Sequence, residues 1–406
     1  MNILGIIAEY NPFHNGHKYH ISKSAEELNA DGVIAVMSGS FVQRGEPAIL
    51  PKHLRAEFAV KNGADLVIEL PSVFSSASAE YFALGGISAL NATGIVSHIS
   101  FGCEDTDLTL LSDIALELTN ESQAFSSALK NEMSYGSSFP RARIKALEHI
   151  FQKPLTFLSK PNNILAVEYL KALYSSKSSI QPFPVARVGS DYSSDVLRDE
   201  RPSATAVRNF IYSSPENLDN LQEFIPLNII DDLILAVNSG LIPDHGKFDI
   251  HILSLLRHCS PEALRSLPYV AEGLEHRLIK AAQNSFTLEE FFKKCSSSRY
   301  PLSRIRRITA ALLTGMSADL LNQAQVCGIP YLRVLAFNER GAELLHCMKE
   351  CASIPVIAKP SLINNLSDYA KQVAKTESRA TDIFNLSLRS PIAYGMDFKN
   401  SPIRVF

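Results

Sequence analysis

Two histidines three residues apart, His14 and His17, flank a glycine in the run His14-Asn15-Gly16-His17 and carry the sharpest chemical signal in the chain. The run closes the segment Ala8-Glu9-Tyr10-Asn11-Pro12-Phe13, which leads from an apolar stretch, Ile3 to Ala8, into a helical pattern over Asn15 to Leu28. In an open α/β sheet, ligands sit beyond the carboxyl ends of the strands, at such a strand–helix turn. Free amide groups and the helix dipole favour phosphate there, and Gly16 lets backbone approach a ligand closely. Imidazoles three apart share one helix side. Two of them can donate hydrogen bonds to a polyphosphate and stabilise charge that builds at an α-phosphorus during displacement. A helix-capping loop that happens to hold two histidines is the plainer alternative.

The elements that must position this turn alternate in the first half. Strands are predicted at Ile3–Ala8, Gly32–Met37, Ala64–Leu70 and His98–Phe101, with a later one at Val185–Val188. Helices are predicted between them at Asn15–Leu28, Lys52–Asn62 and Ala77–Ala92. Apolar strands alternating with helices predict an α/β fold, a Rossmann-like doubly wound parallel sheet. Beyond residue 214 helical periodicity dominates, broken by extended runs at Tyr331–Phe337 and Pro355–Ala358. The expected division is a nucleotide-binding domain over 1–214 and a mostly helical domain over 215–406.

Composition bounds the function. The chain has 406 residues, 46% hydrophobic and 20% charged, an ordinary globular balance that argues against wholesale disorder. Net charge is −3, so any nucleic-acid surface must be a local patch. The N-terminal segment has no basic stretch and Glu9 interrupts its apolar run, so it reads as a strand and not a signal peptide. Apolar stretches are too short to span a bilayer. Six scattered cysteines are expected as reduced thiols, and the expected compartment is the cytoplasm, with no membrane role and no protein partner implied. Cys347 and Cys351, with His346, lack a second ligand pair for zinc, and no metal site is expected. Cys103 reads as packing, and Glu104 and Asp105 as loop-capping groups.

A second run, Pro202-Ser203-Ala204-Thr205-Ala206-Val207-Arg208, starts a late helix. Ser203 can cap it and Arg208 can reach polyphosphate. The pair of runs resembles the two signatures of the HIGH-motif nucleotidyltransferase superfamily, HxGH and ISSTxIR, with Ala204 where a serine is common. The segments EYNPFHNGH, MSGSFVQRGEPA, KNGADLVIELP, SFGCE, KPNNILAVEYL, ARVGSDY and SATAVR together resemble the bacterial tRNA(Met) cytidine acetate ligase family.

That resemblance implies an enzyme that activates acetate with ATP and acetylates N4 of the wobble cytidine of elongator tRNA(Met). His14 and His17 would be catalytic. The ATP site would comprise Ile7, Ala8, Glu9, Tyr10, Asn11, Pro12, Phe13, His14, Asn15, Gly16, His17, Lys18, Tyr19 and His20, with Gly102, Asn162 and Arg187, joined by Ser203, Thr205 and Arg208. Taken alone, Gly102 is equally a turn glycine and Asn162 a helix cap, while Arg187 reads first as half of a surface salt bridge. Mg²⁺ is expected to arrive with ATP, held by phosphates and water. Gln43, Arg44 and Gly45 lie where a second substrate could sit.

The most basic stretch supplies candidate tRNA contacts, Arg299, Tyr300, Arg304 and Arg307, with Arg333 and Arg340 as further candidates. Arginines on one helix face can track phosphates and a tyrosine can stack on a base; a solvated helix face is the alternative. Two other functions stay open on sequence. One is an adenylyltransferase acting on a small phosphorylated metabolite, and the other an RNA-binding protein with a vestigial nucleotide site.

Overall fold

The computed structural model describes residues 1–187 and 203–406. Pro202 of the second signature, and Val188 at the end of the last predicted strand, lie outside the described residues.

Five parallel strands form the centre of one mixed sheet: β1 Ile3–Ala8, β2 Gly32–Ser38, β3 Leu66–Leu70, β4 His98–Cys103 and β5 Gln181–Ala186. Their spatial order is β5-β4-β1-β2-β3, so the winding direction reverses between β1 and β4. A crevice opens at the carboxyl ends there, which is where open α/β sheets take ligands. Helices α1 Asn15–Glu27 and α3 Ala79–Ala92 border it, and α2 Lys52–Val60 joins β2 to β3. Further helices at Leu108–Asn120, Gln123–Ser134 and Phe139–Phe151 precede α4, Pro161–Ser175, in the long β4–β5 crossover. Next come α5 Ala204–Ser213, α6 Leu302–Thr314 and α7 Asp368–Ser387.

The strand residues alternate between two cores, as period-two geometry requires. Ile3, Ile34, Val36 and Ile68 pack on one face with Leu90, Leu111 and Leu170. Leu4, Ile6, Val33, Met37 and Val67 face the other, against Phe58, Val207 and Leu233. A third core is purely helical and loop-built, with Phe248, Leu256, Leu278, Phe291 and Ile305 packed around Phe41 and Val42.

The division at residue 214 needs correction. β6, Leu332–Phe337, pairs antiparallel with β3, and the short strands β7, Val356–Ile357, and β8, Ile403–Arg404, pair with β6. The C-terminal third therefore completes the first domain's sheet. A buried charge cluster fastens it there. Lys52 Nζ lies 2.5 Å from Glu69, 2.8 Å from Asp397 and 3.3 Å from Glu377, and Arg333 reaches Asp397 at 3.1 Å. Three carboxylates face two cations in a site closed to solvent. Burial and the neighbouring Glu69 charge push the Glu377 carboxyl up. At Asp397 burial pushes the same way, but Lys52 and Arg333 outweigh it and hold the carboxyl down. Arg333 is thus a structural ion-pair partner and not an RNA contact. Arg340 pairs with Glu343 and donates to the Asp31 carbonyl.

The last predicted strand is displaced toward the N-terminus, running over Gln181–Ala186 through two prolines that occupy a sheet edge beside β4.

Candidate active site

The β1–α1 turn is built by its own histidines. His14 is the N-cap of α1, its Nδ1 accepting the Gly16 N–H at 3.1 Å, while the His17 Nδ1 accepts the His14 N–H at 3.3 Å. Capping and chemistry are therefore the same arrangement. With each Nδ1 occupied by a backbone donor, a neutral ring carries its proton on Nε2 and can donate it. The two rings stack with centroids 3.8 Å apart. Gly16 is required here because a Cβ would sit 2.8 Å from the His14 ring.

Burial, then the Arg187 and Arg208 charges, drops the His14 imidazole to about 3. Burial followed by His14, Arg187 and His20 holds His17 well below its ordinary value. Burial and Arg187 bring His20 to about 4, and its Nε2 lies 2.8 Å from Ser100 Oγ. Near pH 7 the crevice thus presents neutral imidazoles beside two guanidinium groups, an arrangement that favours a polyanion.

Arg208 projects from α5 and donates to the Asn11 carbonyl at 2.7 Å and to Thr205 Oγ1 at 3.1 Å. Ser203 caps α5 through the Ala206 N–H at 3.0 Å and does not line the crevice, whereas Thr205 and Arg208 do. Gly102 lies within β4 and not after it. A Cβ there would come within 3.4 Å of Arg187 Cγ. Asn162 is inside the first turn of α4, two residues past the N-cap position Lys160, and donates to Glu104 at 2.7 Å. Gly102, Asn162 and Arg187 all line the crevice.

Of the expected nucleotide span, Ile7, Ala8, Glu9, Tyr10, Asn11, His14, Gly16, His17, Tyr19 and His20 line the crevice. Pro12, Phe13, Asn15 and Lys18 do not. Phe13 is fully buried in the core, Asn15 bonds the Glu223 and Phe224 carbonyls, and Lys18 faces solvent. Sequence reasoning missed Glu46, Phe82, Phe101, Leu165 and Tyr169 as lining residues. Apolar spacing gives no sign of which core residue borders a cavity.

The loop of residues 39–51 closes the side of the crevice next to β2, with Gln43 and Arg44 in the wall. Gly45, at φ +73°, packs against the Arg306 and Arg307 backbone, where a Cβ would collide at 2.7 Å. It docks the loop on α6 and does not line the crevice. Arg306 pairs with Glu46, and Arg307 Nε donates to the Gln43 carbonyl at 3.3 Å. The basic helix therefore sits at the rim of the crevice. Tyr300 is buried, its hydroxyl donating to the Glu272 carbonyl, with the Arg304 guanidinium 5.4 Å over its ring. An open base-stacking face at Tyr300 is thus excluded. Arg299 pairs with Glu272 at 2.9 Å on the surface.

Among the described residues no group of three His, Cys, Asp or Glu is disposed to hold a metal ion. No helix among them is long and apolar enough to cross a membrane.

A sequence model of the HIGH nucleotidyl transferase family matches residues 1–396. The chain belongs to this family. Within it, the chain is 40% identical over 401 residues to a tRNA(Met) cytidine acetate ligase of Acetivibrio thermocellus, covering 96% of each protein. It is 40% identical over 412 residues to the same-named protein of a Thermoanaerobacter species, covering all of both. Two crystal structures of Thermotoga maritima TmcAL, each 30% identical, superpose over the whole chain. The apo form gives a TM-score of 0.95, and the form bound with alpha-thio ATP gives 0.93. As a HIGH nucleotidyl transferase, the chain carries its HNGH run at the turn where the sheet's winding reverses.

Proposed function

We propose that the protein is an ATP-dependent ligase that acetylates N4 of the wobble cytidine of elongator tRNA(Met). An acetate oxygen attacks the α-phosphorus of ATP, pyrophosphate leaves, and acetyl-adenylate stays bound. The cytidine amine then attacks the acetyl carbon and AMP departs. The observation that carries this reading is the pair of neutral imidazoles, His14 and His17, oriented by backbone amides beside Arg208 and Arg187.

Each group has a role that its chemistry permits. The Nε2–H groups of His14 and His17 donate to phosphate oxygens, most strongly as charge builds at the α-phosphorus. Arg208 and Arg187 supply fixed charge for the polyphosphate. Gly102 and Asn162, on the β4 side, leave room for the nucleoside. Mg²⁺ comes with ATP, bound through phosphates and water. Acetate fits as the donor because a carboxylate needs only the α-phosphate for activation. The cytidine must be splayed from the anticodon loop to enter the crevice. A need for tRNA and ATP supports a cytoplasmic location.

Purified protein given ATP, Mg²⁺, acetate and unmodified elongator tRNA(Met) should yield N4-acetylcytidine by nucleoside mass spectrometry, and only when ATP and acetate are both present. An unmodified tRNA in the presence of bound ATP would overturn this reading and point to a small phosphorylated acceptor.

A further inference from the structure

Glu9 follows the carboxyl end of β1 and lines the crevice. A carboxylate is out of place among groups that bind a polyphosphate, because it repels the same charge that His14, His17, Arg187 and Arg208 attract. Its position in the sheet explains it. β4 and β5 lie on one side of β1, and with α4 they bring Gly102, Asn162 and Arg187. β2 lies on the other side, and its following loop brings Gln43, Arg44 and Glu46. Glu9 faces that second side, since its Oε1 accepts the Gln43 N–H at 2.8 Å. In an acyl-adenylate the phosphorus joins the ribose oxygen and the acyl oxygen at a tetrahedral angle, so the acyl group extends away from the nucleoside. With the nucleoside on the β4 side and the phosphorus at the histidine turn, the acyl carbon falls on the β2 side. The attacking amine must approach from there.

The attack needs a proton acceptor on the β2 side, and the crevice leaves one there, since the neutral His20 imidazole lies against Ser100 of β4 on the other side. The Nδ1 atoms of His14 and His17 are occupied and their Nε2 atoms carry protons. Arg44 cannot accept, and Glu46 is bound to Arg306. Glu9 commits only Oε1; its other oxygen has no hydrogen-bond partner among the described residues, and the side chain is partly open to the crevice. The carboxylate is also held still. Arg55, fully buried, donates to the Glu9, Ser38 and Leu50 carbonyls, tying the ends of β1 and β2 together. The Gln43 side chain is fixed on the Ala77 carbonyl at 3.2 Å, and Arg307 holds the Gln43 carbonyl. Burial raises the Glu9 carboxyl pKa, against the Gln43 amide and the Arg208 and Arg55 charges, which strengthens the group as a base.

We infer that Glu9 is the general base of the transfer step, taking the proton from the acceptor's aryl amine on the β2 side of the crevice. The inference rests on the ligase reading given above. In the step, the amine nitrogen forms a bond to the acetyl carbon and the carbon–oxygen bond to AMP breaks, with its electron pair leaving on AMP. One amine proton passes to the free oxygen of Glu9 and then to solvent.

Single-turnover assays of wild type and Glu9→Gln, with ATP, acetate and tRNA across pH 5.5–9, separate adenylate formation from transfer. Glutamine keeps the acceptor for the Gln43 N–H and so preserves the loop. The ratio of transfer rate to adenylate-formation rate should fall about 10²–10³-fold in the variant. The acid limb of the wild-type transfer profile should vanish with it. An unchanged ratio, or equal losses in both steps, would overturn the assignment while wild type still makes N4-acetylcytidine. A wild type that makes none would overturn the ligase reading itself, and the role of Glu9 with it.

Discussion

The imidazoles of His14 and His17 lie 3.8 Å apart, and each is tied through Nδ1 to a backbone amide of the turn they form. One arrangement caps α1, sets the tautomer and leaves two Nε2–H donors at the crevice. Replacing either histidine therefore removes a preorganised donor. His14→Ala and His17→Ala should each slow adenylate formation by about 10²–10³-fold. Loss of the cap should cost only about 1 kcal/mol of stability, so thermal melts will show folded variants. Wild-type rates in both variants would contradict the assignment.

The same burial makes the empty protein acid-sensitive. The folded-state value of His14 lies at about 3, below its ordinary 6.5, so the unfolded chain takes up a proton that the folded protein refuses. Its contribution to stability is intact above about pH 6.5 and is lost as pH falls toward 3. At pH 5.5 the loss attributable to His14 should be on the order of 1 kcal/mol. Urea unfolding of wild type and His14→Asn at pH 7 and 5.5 should show the variant less acid-sensitive by that amount. Identical pH responses would contradict it.

Lys52 is the hub of the cluster that binds residues from β3, β6, α7 and the C-terminal segment. Lys52→Met leaves three buried carboxylates facing Arg333 alone. Stability should fall by about 3–5 kcal/mol, read as a large drop in denaturation midpoint. A loss under about 1 kcal/mol, the scale of an exposed pair, would show that the cluster is not a structural fastening.

Arg304 and Arg307 lie on α6 at the crevice rim, and Arg307 touches the Gln43 loop. Arg304→Gln with Arg307→Gln should weaken tRNA binding and lower the slope of log affinity against log salt by about 2. ATP affinity should stay within about twofold. Unchanged tRNA affinity would exclude this rim as the RNA surface.

Much of this was legible in the sequence, for identifiable reasons. β1 to β4 and α1 to α3 announce themselves through Val- and Ile-rich strands alternating with helical periodicity, and the HNGH run falls at the first turn. β6 also reads as extended, but its antiparallel place beside β3 depends on Lys52, Glu69, Arg333 and Asp397 meeting across more than 300 residues. No local pattern encodes that meeting. Tyr300 reads as an RNA-stacking ring because it sits among arginines; only packing shows that those arginines cover it. Glu9 was legible as a residue of the β1–α1 segment, but its direction toward the β2 loop required the sheet order.

In the proposed reaction acetate is activated on the α-phosphorus of ATP. Acetate labelled with oxygen-18 in both carboxylate positions tests it most directly, with mass analysis of the nucleotide released as N4-acetylcytidine forms. AMP carrying one labelled oxygen in its phosphate is the result expected of acetyl-adenylate. Unlabelled AMP, or ADP with the label in inorganic phosphate, would contradict the mechanism.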